Sequence, residues 1–419
     1  MAAAVDQESS LTSTEQQIVR FIDEHNDEAM ALLERVVNIN SGTMNLAGVQ
    51  EVGAIFRAEF DALGFKTRWI DGAAFGRAGH LMARRGGSGL HLLLIGHLDT
   101  VFEVDSPFQR YEQISPSRAY GPGATDMKGG DVIMLQALAA LRAAGVLDDL
   151  QITVVLTGDE EKSGRPLVLA RQHLVEAAES ARFALGFEDG DGDPRTAVIS
   201  RRGAVRWKLR TTGRPAHSSQ IFQHDIGFGA VFEAARILNE FREELSREEY
   251  LTFNPGLILG GTSVQFDSEQ ARGTAFGKNN VITAQAIVSG DLRTISPEQL
   301  TEIQSRMRAI VARSLPQTTA EIVFNDGYPP LAPTQGNREL LALYDEVSRS
   351  LGFGPVEAVD PRKAGAADVS FTSGRVEAAL DGLGLMGEGG HTEQETADLR
   401  TLPMQAKRAA ILMYRLSQR

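Results

Sequence analysis

The stretch from His97 to Glu161 constrains this chain more than any other. In and around it lie HLLLIGHLDT, AYGPGATDMKGG and ITVVLTGDEEKSG, where apolar runs that read as buried strands stop abruptly at polar residues. In an open parallel sheet, ligands bind beyond the carboxyl ends of the strands. The pattern therefore delivers acid and imidazole groups to one edge of an α/β sheet.

The flanking segments fit that frame. Residues 1–12 read as a loose tail. Ser13 followed by Gln16 has capping-box spacing, and Ile18, Phe21, Ile22, Met30, Leu32, Leu33, Val36 and Val37 recur at helical intervals, predicting one helix or a broken pair. Further helices are expected over 49–63, 127–144 and from Pro166 to about Glu179, with strands near 65–70, 80–84, 90–95, 151–157 and in RFALGF before Glu188. This alternation belongs to a largely parallel mixed sheet flanked by helices.

From residue 204 the texture changes. A strand over AVRWKLRTTG, a helix over 226–245, strands near 257–266 and 281–293, a helix over 297–313 and a strand over 320–325 follow one another. That order describes an inserted α+β, ferredoxin-like domain with one sheet face covered and the other free for a partner. Helices over 337–351 and from about 402 resume the first texture. The expected organisation is a catalytic domain in two parts, 1–203 and 327–419, around an inserted domain 204–326, and two domains are also what 419 residues favour.

Charge and composition remove several classes of function. A formal net charge of -13 argues against nucleic acid, which is bound by surplus Lys and Arg, and against a membrane surface. No apolar run approaches the length of a membrane span, and the first dozen residues lack the apolar core of a signal peptide. The expected compartment is cytoplasmic, or periplasmic or secreted if a leader has been removed. The chain has no cysteine, which excludes disulfides, thiolate catalysis and Cys-type zinc sites together. Any metal must sit on His and carboxylates.

Eight histidines narrow to three. His25 and His173 fall within helices, His80 and His91 open strands, and His224 has only Asp225 as an acidic neighbour, all of which suits surface or satisfied polar roles. His97, His217 and His391 each follow small or glycine residues, from which a side chain can be aimed at a site. His97 ends LLLIG with Asp99 two residues on. A carboxylate beside the second ring nitrogen of a ligating imidazole fixes its tautomer, whereas the alternative is a strand-end histidine bonded to its own turn.

Around Asp126, glycines precede a helix carrying Lys128, as in a phosphate-cradling loop. The G-x-x-x-x-G-K-[ST] order is absent, however, and a central carboxylate repels an anion, so a cation fits better. Asp159, Glu160 and Glu161 crowd the end of VVLTG, where like charges raise one another's pKa unless a cation neutralises them. The alternative is a solvated acidic turn. One Glu can bind metal while its neighbour takes a proton from water that the metal acidifies. Glu188 and Asp189 repeat the arrangement after the next strand, and His391 stands in MGEGGHTE. Two histidines and three carboxylates besides a candidate base suit two divalent ions about 3.5–4 Å apart sharing one carboxylate. Mixed imidazole and oxygen ligands favour zinc, with manganese or cobalt as alternatives.

The order HLDT, GPGxxDMKGG, GDEE, FE and a late GxH resembles the dinuclear-zinc metallopeptidases that include glutamate carboxypeptidase of the carboxypeptidase G type, aminoacylases, acetylornithine deacetylase and succinyl-diaminopimelate desuccinylase. The likeness covers nearly the whole chain. It implies a zinc-exopeptidase-like host domain with an inserted lid and dimerisation domain. It also implies two Zn2+ per subunit held by His97, Asp126, Glu161, Glu188 and His391, with Asp126 bridging, His97 and Glu188 on one ion, and Glu161 and His391 on the other. Glu160 takes the role of general base and acid, Asp99 orients His97, and the Asp126–Met127 peptide is expected to be cis. RPAHSS resembles the family segment whose His reaches the active site of a second subunit, which assigns His217 to the scissile carbonyl. NNVITAQAIVSGDLR resembles the stretch whose Asn and Arg grip substrate, which assigns Asn280 and Arg293; a salt-bridged strand arginine is the alternative for the latter.

Three departures bear on the substrate. The continuation after His217 is IFQHDIGFGA, AGAAD replaces GGTDA so that Ala366 and Ala367 stand where a Gly-Thr pair lines the pocket before Asp368, and GEGGH replaces a longer spacing before the last His. The function expected is hydrolysis of an amide or peptide bond next to a C-terminal amino acid by a water between two zinc ions, in a homodimer formed through the inserted domain. An N-acyl-amino-acid deacylase is the near alternative and a non-catalytic metal-binding protein the remote one. The substrate is a small peptide or N-acyl amino acid, with no nucleic acid and no membrane as partner.

Overall fold

The computed structural model describes residues 11–87, 89–268 and 270–419, so the tail expected over residues 1–12 falls, up to residue 10, outside the described residues. Two compact units result, one running to Ser200 and resuming at Pro333, the other Arg201–Ala332. The inserted unit is longer at both ends than the sequence suggested. Arg201 bridges Leu331 and Ala204 bridges Tyr328, so the two strands of its stem zip together beyond residues 204 and 326. Among the described residues no helix is long and apolar enough to cross a membrane.

The host unit opens with α1 (Ser13–Glu24) and α2 (Asn26–Val37), a pair broken at His25, and α3 (Leu46–Ala62). The capping box lies one residue earlier than Ser13 and Gln16 would place it. Thr12 Oγ1 accepts the Glu15 N–H at 3.2 Å and Glu15 Oε2 accepts the Thr12 N–H at 2.7 Å. Glu15 is also held by Arg415 at 2.6 Å, which selects that register. There follow β1 (Lys66–Asp71), β2 (Gly79–Arg85), β3 (Leu90–His97), the hairpin β4 (Glu112–Ser115) and β5 (Arg118–Tyr120), α4 (Gly129–Ala143) and β6 (Leu150–Thr157). Next come α5 (Leu167–Ala170), α6 (Gln172–Ser180), β7 (Phe183–Gly186) and β8 (Thr196–Ala197). The helix expected from Pro166 is thus two, broken at Arg171, whose side chain is drawn inward to buried carboxylates.

The inserted unit contains β9 (Val205–Gly213), α7 (Ala230–Leu245), β10 (Thr252–Gly261), β11 (Ser263–Asp267), β12 (Arg272–Phe276), β13 (Gln285–Arg293), α8 (Pro297–Val311) and β14 (Thr318–Phe324). Its sheet has the order β10-β13-β9-β14 and is antiparallel throughout, the ferredoxin-like arrangement. Val205, Trp207 and Leu209 alternate with exposed or half-buried Arg206, Lys208 and Arg210 along β9, so the apolar face packs on α7 and α8. The run read as one strand near 257–266 is two, because β11 leaves the sheet to pair with β12 in a separate hairpin.

The chain then completes the host unit with α9 (Gln335–Ser350), β15 (Glu357–Ala358), β16 (Ala378–Leu380), β17 (Gly387–Glu388), β18 (Thr396–Asp398) and α10 (Thr401–Ser417). The main sheet has the order β1-β2-β6-β3-β7-β16, parallel from β6 to β16 and antiparallel at β1 and β2. β3 and β6 are buried along nearly their whole length, as expected of strands sandwiched between helices. Their carboxyl ends, with that of β7, form a common edge. Gly130 explains part of DMKGG: a Cβ there would lie 1.9 Å from the Phe187 carbonyl oxygen, so only glycine lets α4 start against the segment leading to Glu188.

Candidate metal centre

His97 is the last residue of β3, and its Nδ1 lies 3.0 Å from the main-chain oxygen of Asp99. A carbonyl can only accept, so Nδ1 carries the hydrogen and the lone pair belongs to Nε2. That Nε2 stands 3.0 Å from Asp126 Oδ1 and 3.6 Å from Glu188 Oε1. On the other side of the same carboxylate, His391 Nε2 is 2.8 Å from Asp126 Oδ2 and 3.3 Å from Glu161 Oε2. Each oxygen of Asp126 thus meets a different imidazole and carboxylate. Two groups that could each hold a metal ion result, His97 with Asp126 and Glu188, and Asp126 with Glu161 and His391, every offered atom within 4.8 Å of the others.

The electrostatics of this crevice call for positive charge. Burial and then neighbouring carboxylates push the Glu160 carboxyl up to about 8 and that of Glu161 up to about 11. Glu161 Oε1 is buried with no hydrogen-bond partner. Burial opposes protonation of His97, yet Glu188, Asp126 and Asp99 outweigh it and hold its pKa well above the usual range. A lone pair aimed at two carboxylates is repulsive unless a proton or a cation lies between. The donor set, all imidazole nitrogen and carboxylate oxygen, fits a divalent cation of the zinc, manganese or cobalt kind.

Asp99 does more than accompany His97. Its Oδ1 is 3.5 Å from His97 Nδ1, farther than its own main-chain oxygen, while the carboxylate accepts the N–H groups of Glu160 at 3.0 Å and Glu161 at 3.2 Å. Thr43 donates to Asp99 Oδ2 at 2.6 Å. One buried carboxylate therefore ties the turn after β3 to the turn after β6. Asp159 points the other way. It accepts from Gly164 N–H at 2.7 Å and Arg171 Nη1 at 2.6 Å, and Arg171 Nε reaches Asp368 Oδ1 at 2.7 Å, with Thr157 donating to Asp368 Oδ2 at 2.6 Å. Of the three acids after VVLTG, then, one braces the turn from beneath, one joins a metal-holding group, and Glu160 lies beside both groups without belonging to either.

The glycine-rich turn before α4 does bind an anion, though an internal one. Glu395, which is fully buried, accepts the N–H groups of Gly123, Thr125 and Asp126. The Asp126–Met127 peptide is cis. Sequence reasoning passed over Glu395, Arg171 and Thr43. A charged residue inside the apolar PLVLARQHL, and a carboxylate four residues after a candidate ligand, were the available signals.

In the inserted unit, His217 and Asn280 come together and Arg293 does not. His217 bridges Val281, Ser218 N–H donates to the Asn280 carbonyl at 2.9 Å, and both His217 and Asn280 are exposed. Arg293 closes the far end of β13, and its Nε donates to Asp291 Oδ2 at 3.2 Å. The nine-residue β13 separates these places by about 26 Å along the strand from Gln285 to Arg293.

Residues 93–415 match Peptidase family M20/M25/M40. The chain belongs to that family. As an M20 protein it is a metal-dependent enzyme of the peptidase and amidohydrolase kind. It is 26% identical to carboxypeptidase G2 of Pseudomonas sp. strain RS-16, over 91% of this chain and 87% of that one. It is 28% identical to a succinyl-diaminopimelate desuccinylase of Alkalilimnicola ehrlichii, covering 68% and 73% respectively. Among solved structures, a tripeptidase from Staphylococcus aureus superposes with a TM-score of 0.70 at 20% identity, covering 94% of this chain and 99% of that one, a likeness of fold.

Proposed function

We propose that this M20 enzyme hydrolyses the amide bond that joins a C-terminal amino acid to the rest of a small peptide, in the manner of a glutamate carboxypeptidase. The observation that carries the reading is the Asp126 carboxylate, whose two oxygens each face a separate imidazole and carboxylate pair with Glu160 alongside. His97, Asp126 and Glu188 would hold one divalent cation and Asp126, Glu161 and His391 a second, zinc being the best match to the donors. Bound there, the pair supplies Lewis-acid polarisation of the amide carbonyl and acidification of water.

The rest is done by side chains of this chain. Glu160, on a main chain clamped by Asp99, takes the proton from the attacking water and passes it to the leaving amine. Its carboxyl, pushed up to about 8 without a cation, falls into the working range as positive charge enters the crevice. His217 donates to the oxyanion. Asn280 and Arg293 grip the substrate, Arg293 by two parallel hydrogen bonds to a carboxylate. Because His217 with Asn280 and Arg293 sit at opposite ends of β13, one small substrate takes them from two different copies of the chain. That favours a homodimer in which His217 serves the neighbouring copy.

The specific alternative, hydrolysis of an N-acyl amino acid, is favoured by the likeness to a desuccinylase. A panel of short peptides with varied C-terminal residues, set against N-acetyl, N-succinyl and N-aroyl amino acids, distinguishes the two. Turnover confined to the acyl amino acids would overturn the carboxypeptidase reading. Mixing Glu160→Ala and His217→Ala subunits tests the shared site, with recovery of about a quarter of full activity expected from two inactive parents. No recovery after verified subunit exchange argues that His217 does not act across a dimer.

A further inference from the structure

We infer that Glu395 is a positioning residue that locks the shared Asp126 to the loop carrying His391, and so sets cation affinity. The inference rests on the metal-centre reading above and extends it to a residue outside the donor set.

Glu395 ends the loop that begins at His391 and leads into β18, whose first residue, Thr396, pairs with Tyr120 of β5. Its main-chain oxygen accepts the Gly121 N–H at 3.3 Å, so the side chain enters the Gly121–Lys128 turn from below. There Oε2 accepts the Gly123 N–H at 3.0 Å, and Oε1 accepts the Thr125 N–H at 2.8 Å, the Thr125 hydroxyl at 3.1 Å and the Asp126 N–H at 3.3 Å. Gly123 has φ +71°, a conformation that turns successive N–H groups toward one point. Such a nest attracts an anion, and here the anion is covalently part of the His391 loop.

The consequence is a closed ring. Asp126 is held by its N–H to Glu395 and by its Oδ2 to His391 Nε2, while Glu395 and His391 are joined through three residues in a loop braced by Glu395 N–H to Thr392 O at 3.1 Å, by Thr392 N–H to Gly389 O at 3.1 Å and by the Tyr120 hydroxyl donating to the Glu393 carbonyl. His391 itself is exposed on a loop with φ +61°, with no strand or helix to aim it. The aim comes from the ring. A carboxylate serves better than an amide because four donors converge on it, and an amide group presents only one acceptor oxygen.

The test is cation affinity, measured without substrate. Zn2+ and Co2+ are titrated into metal-free wild type and Glu395→Gln in competition with a chelating dye, and the Co2+ absorption spectrum is recorded. Wild type is expected to take up two cations per chain, and Glu395→Gln to bind the second about 10- to 100-fold more weakly with an altered Co2+ spectrum. Unchanged affinity and spectrum, with only a lowered Tm, would show that Glu395 is a structural prop and overturn the inference. Failure of the wild type to take up cations would instead overturn the metal-centre reading. Should Glu395→Gln not fold, Thr125→Val, which removes only the hydroxyl donor, is expected to weaken the second cation about fivefold; no change there also overturns the inference.

Discussion

The two halves of the candidate metal centre are built from different materials. On one side, His97 ends one of two adjacent parallel strands and Glu188 follows the other, and His97 is only 1% exposed. On the other, His391 hangs from a loop with its side chain 59% exposed, although its partner Glu161 is almost fully buried. Asp126 belongs to both. The contrast teaches that a sheet edge aims a ligand by itself, whereas a loop ligand needs a second tether. The strand-built half should therefore hold its cation more firmly than the loop-built half.

The largest effect is expected where the two halves act together. Glu160→Ala should lower kcat by about two to four orders of magnitude while both cations remain, as read by metal analysis of the purified variant. Loss of both cations with the activity would mean that Glu160 belongs to the ligand set and that the halves are not as drawn. Next, His391→Ala should leave one cation bound and weaken the other by more than about 100-fold, whereas His97→Ala should disturb both, since Asp126 then loses its buried partner. Equal losses in the two variants, measured by dialysis against graded chelator, would abolish the distinction between strand and loop.

A smaller effect is expected at Thr43, whose hydroxyl holds Asp99 and, through it, the turn of Glu160 and Glu161. Thr43→Val should lower kcat about tenfold with KM little changed. A change in KM alone would place Thr43 at the substrate.

The smallest effect concerns what supports the strand-built half. His80 is buried against Asp159, Arg171 and Asp368, with Nε2 2.7 Å from the Ala170 carbonyl and Nδ1 accepting the Gly158 N–H at 3.2 Å. Burial lowers its pKa despite the attraction of Asp159. The folded protein therefore binds fewer protons than the unfolded chain just below the ordinary histidine pKa of about 6.5, and stability should fall as pH drops through that point, by at most about 1.4 kcal/mol per pH unit. Urea unfolding of the metal-free protein at pH 7 and pH 5.5 measures it, and His80→Gln should flatten the slope. An unchanged slope would show that His80 binds protons alike in the folded and unfolded chain, contrary to its lowered pKa.

How much of this was readable beforehand differs from residue to residue. His97, Glu161 and Glu188 were legible because each stands just past a short apolar run, and a buried strand can end only where its backbone meets solvent or a site. Asp126 and His391 were legible as candidates from the glycines beside them, and their places in one ligand set only through the family motifs. The capping of α1 was misplaced by one residue because Arg415, about 400 positions later, selects Glu15 over Gln16. The break at Arg171 was invisible for the same reason, since Asp368, one of the two carboxylates that draw Arg171 inward, lies 197 positions away; the hairpin β11–β12 is local, with Asp267 opposite Arg272, and was read as part of one run near 257–266.

The sequence by itself determined the inventory of the site: imidazoles and carboxylates with no thiol, two of the histidines and the Glu pair at strand ends or glycine turns, on an α/β host with an α+β insertion. Periodicity and turn chemistry are local, and local rules suffice for that. Only the tertiary structure decided which acid does what. Asp159, Glu160 and Glu161 are consecutive and chemically alike, yet one turns inward to Arg171, one stands beside the metal-holding groups and one joins His391. That choice depends on partners up to 230 positions away, the separation of Glu161 and His391, whose charge and hydrogen bonds exist at the site only once the chain has folded.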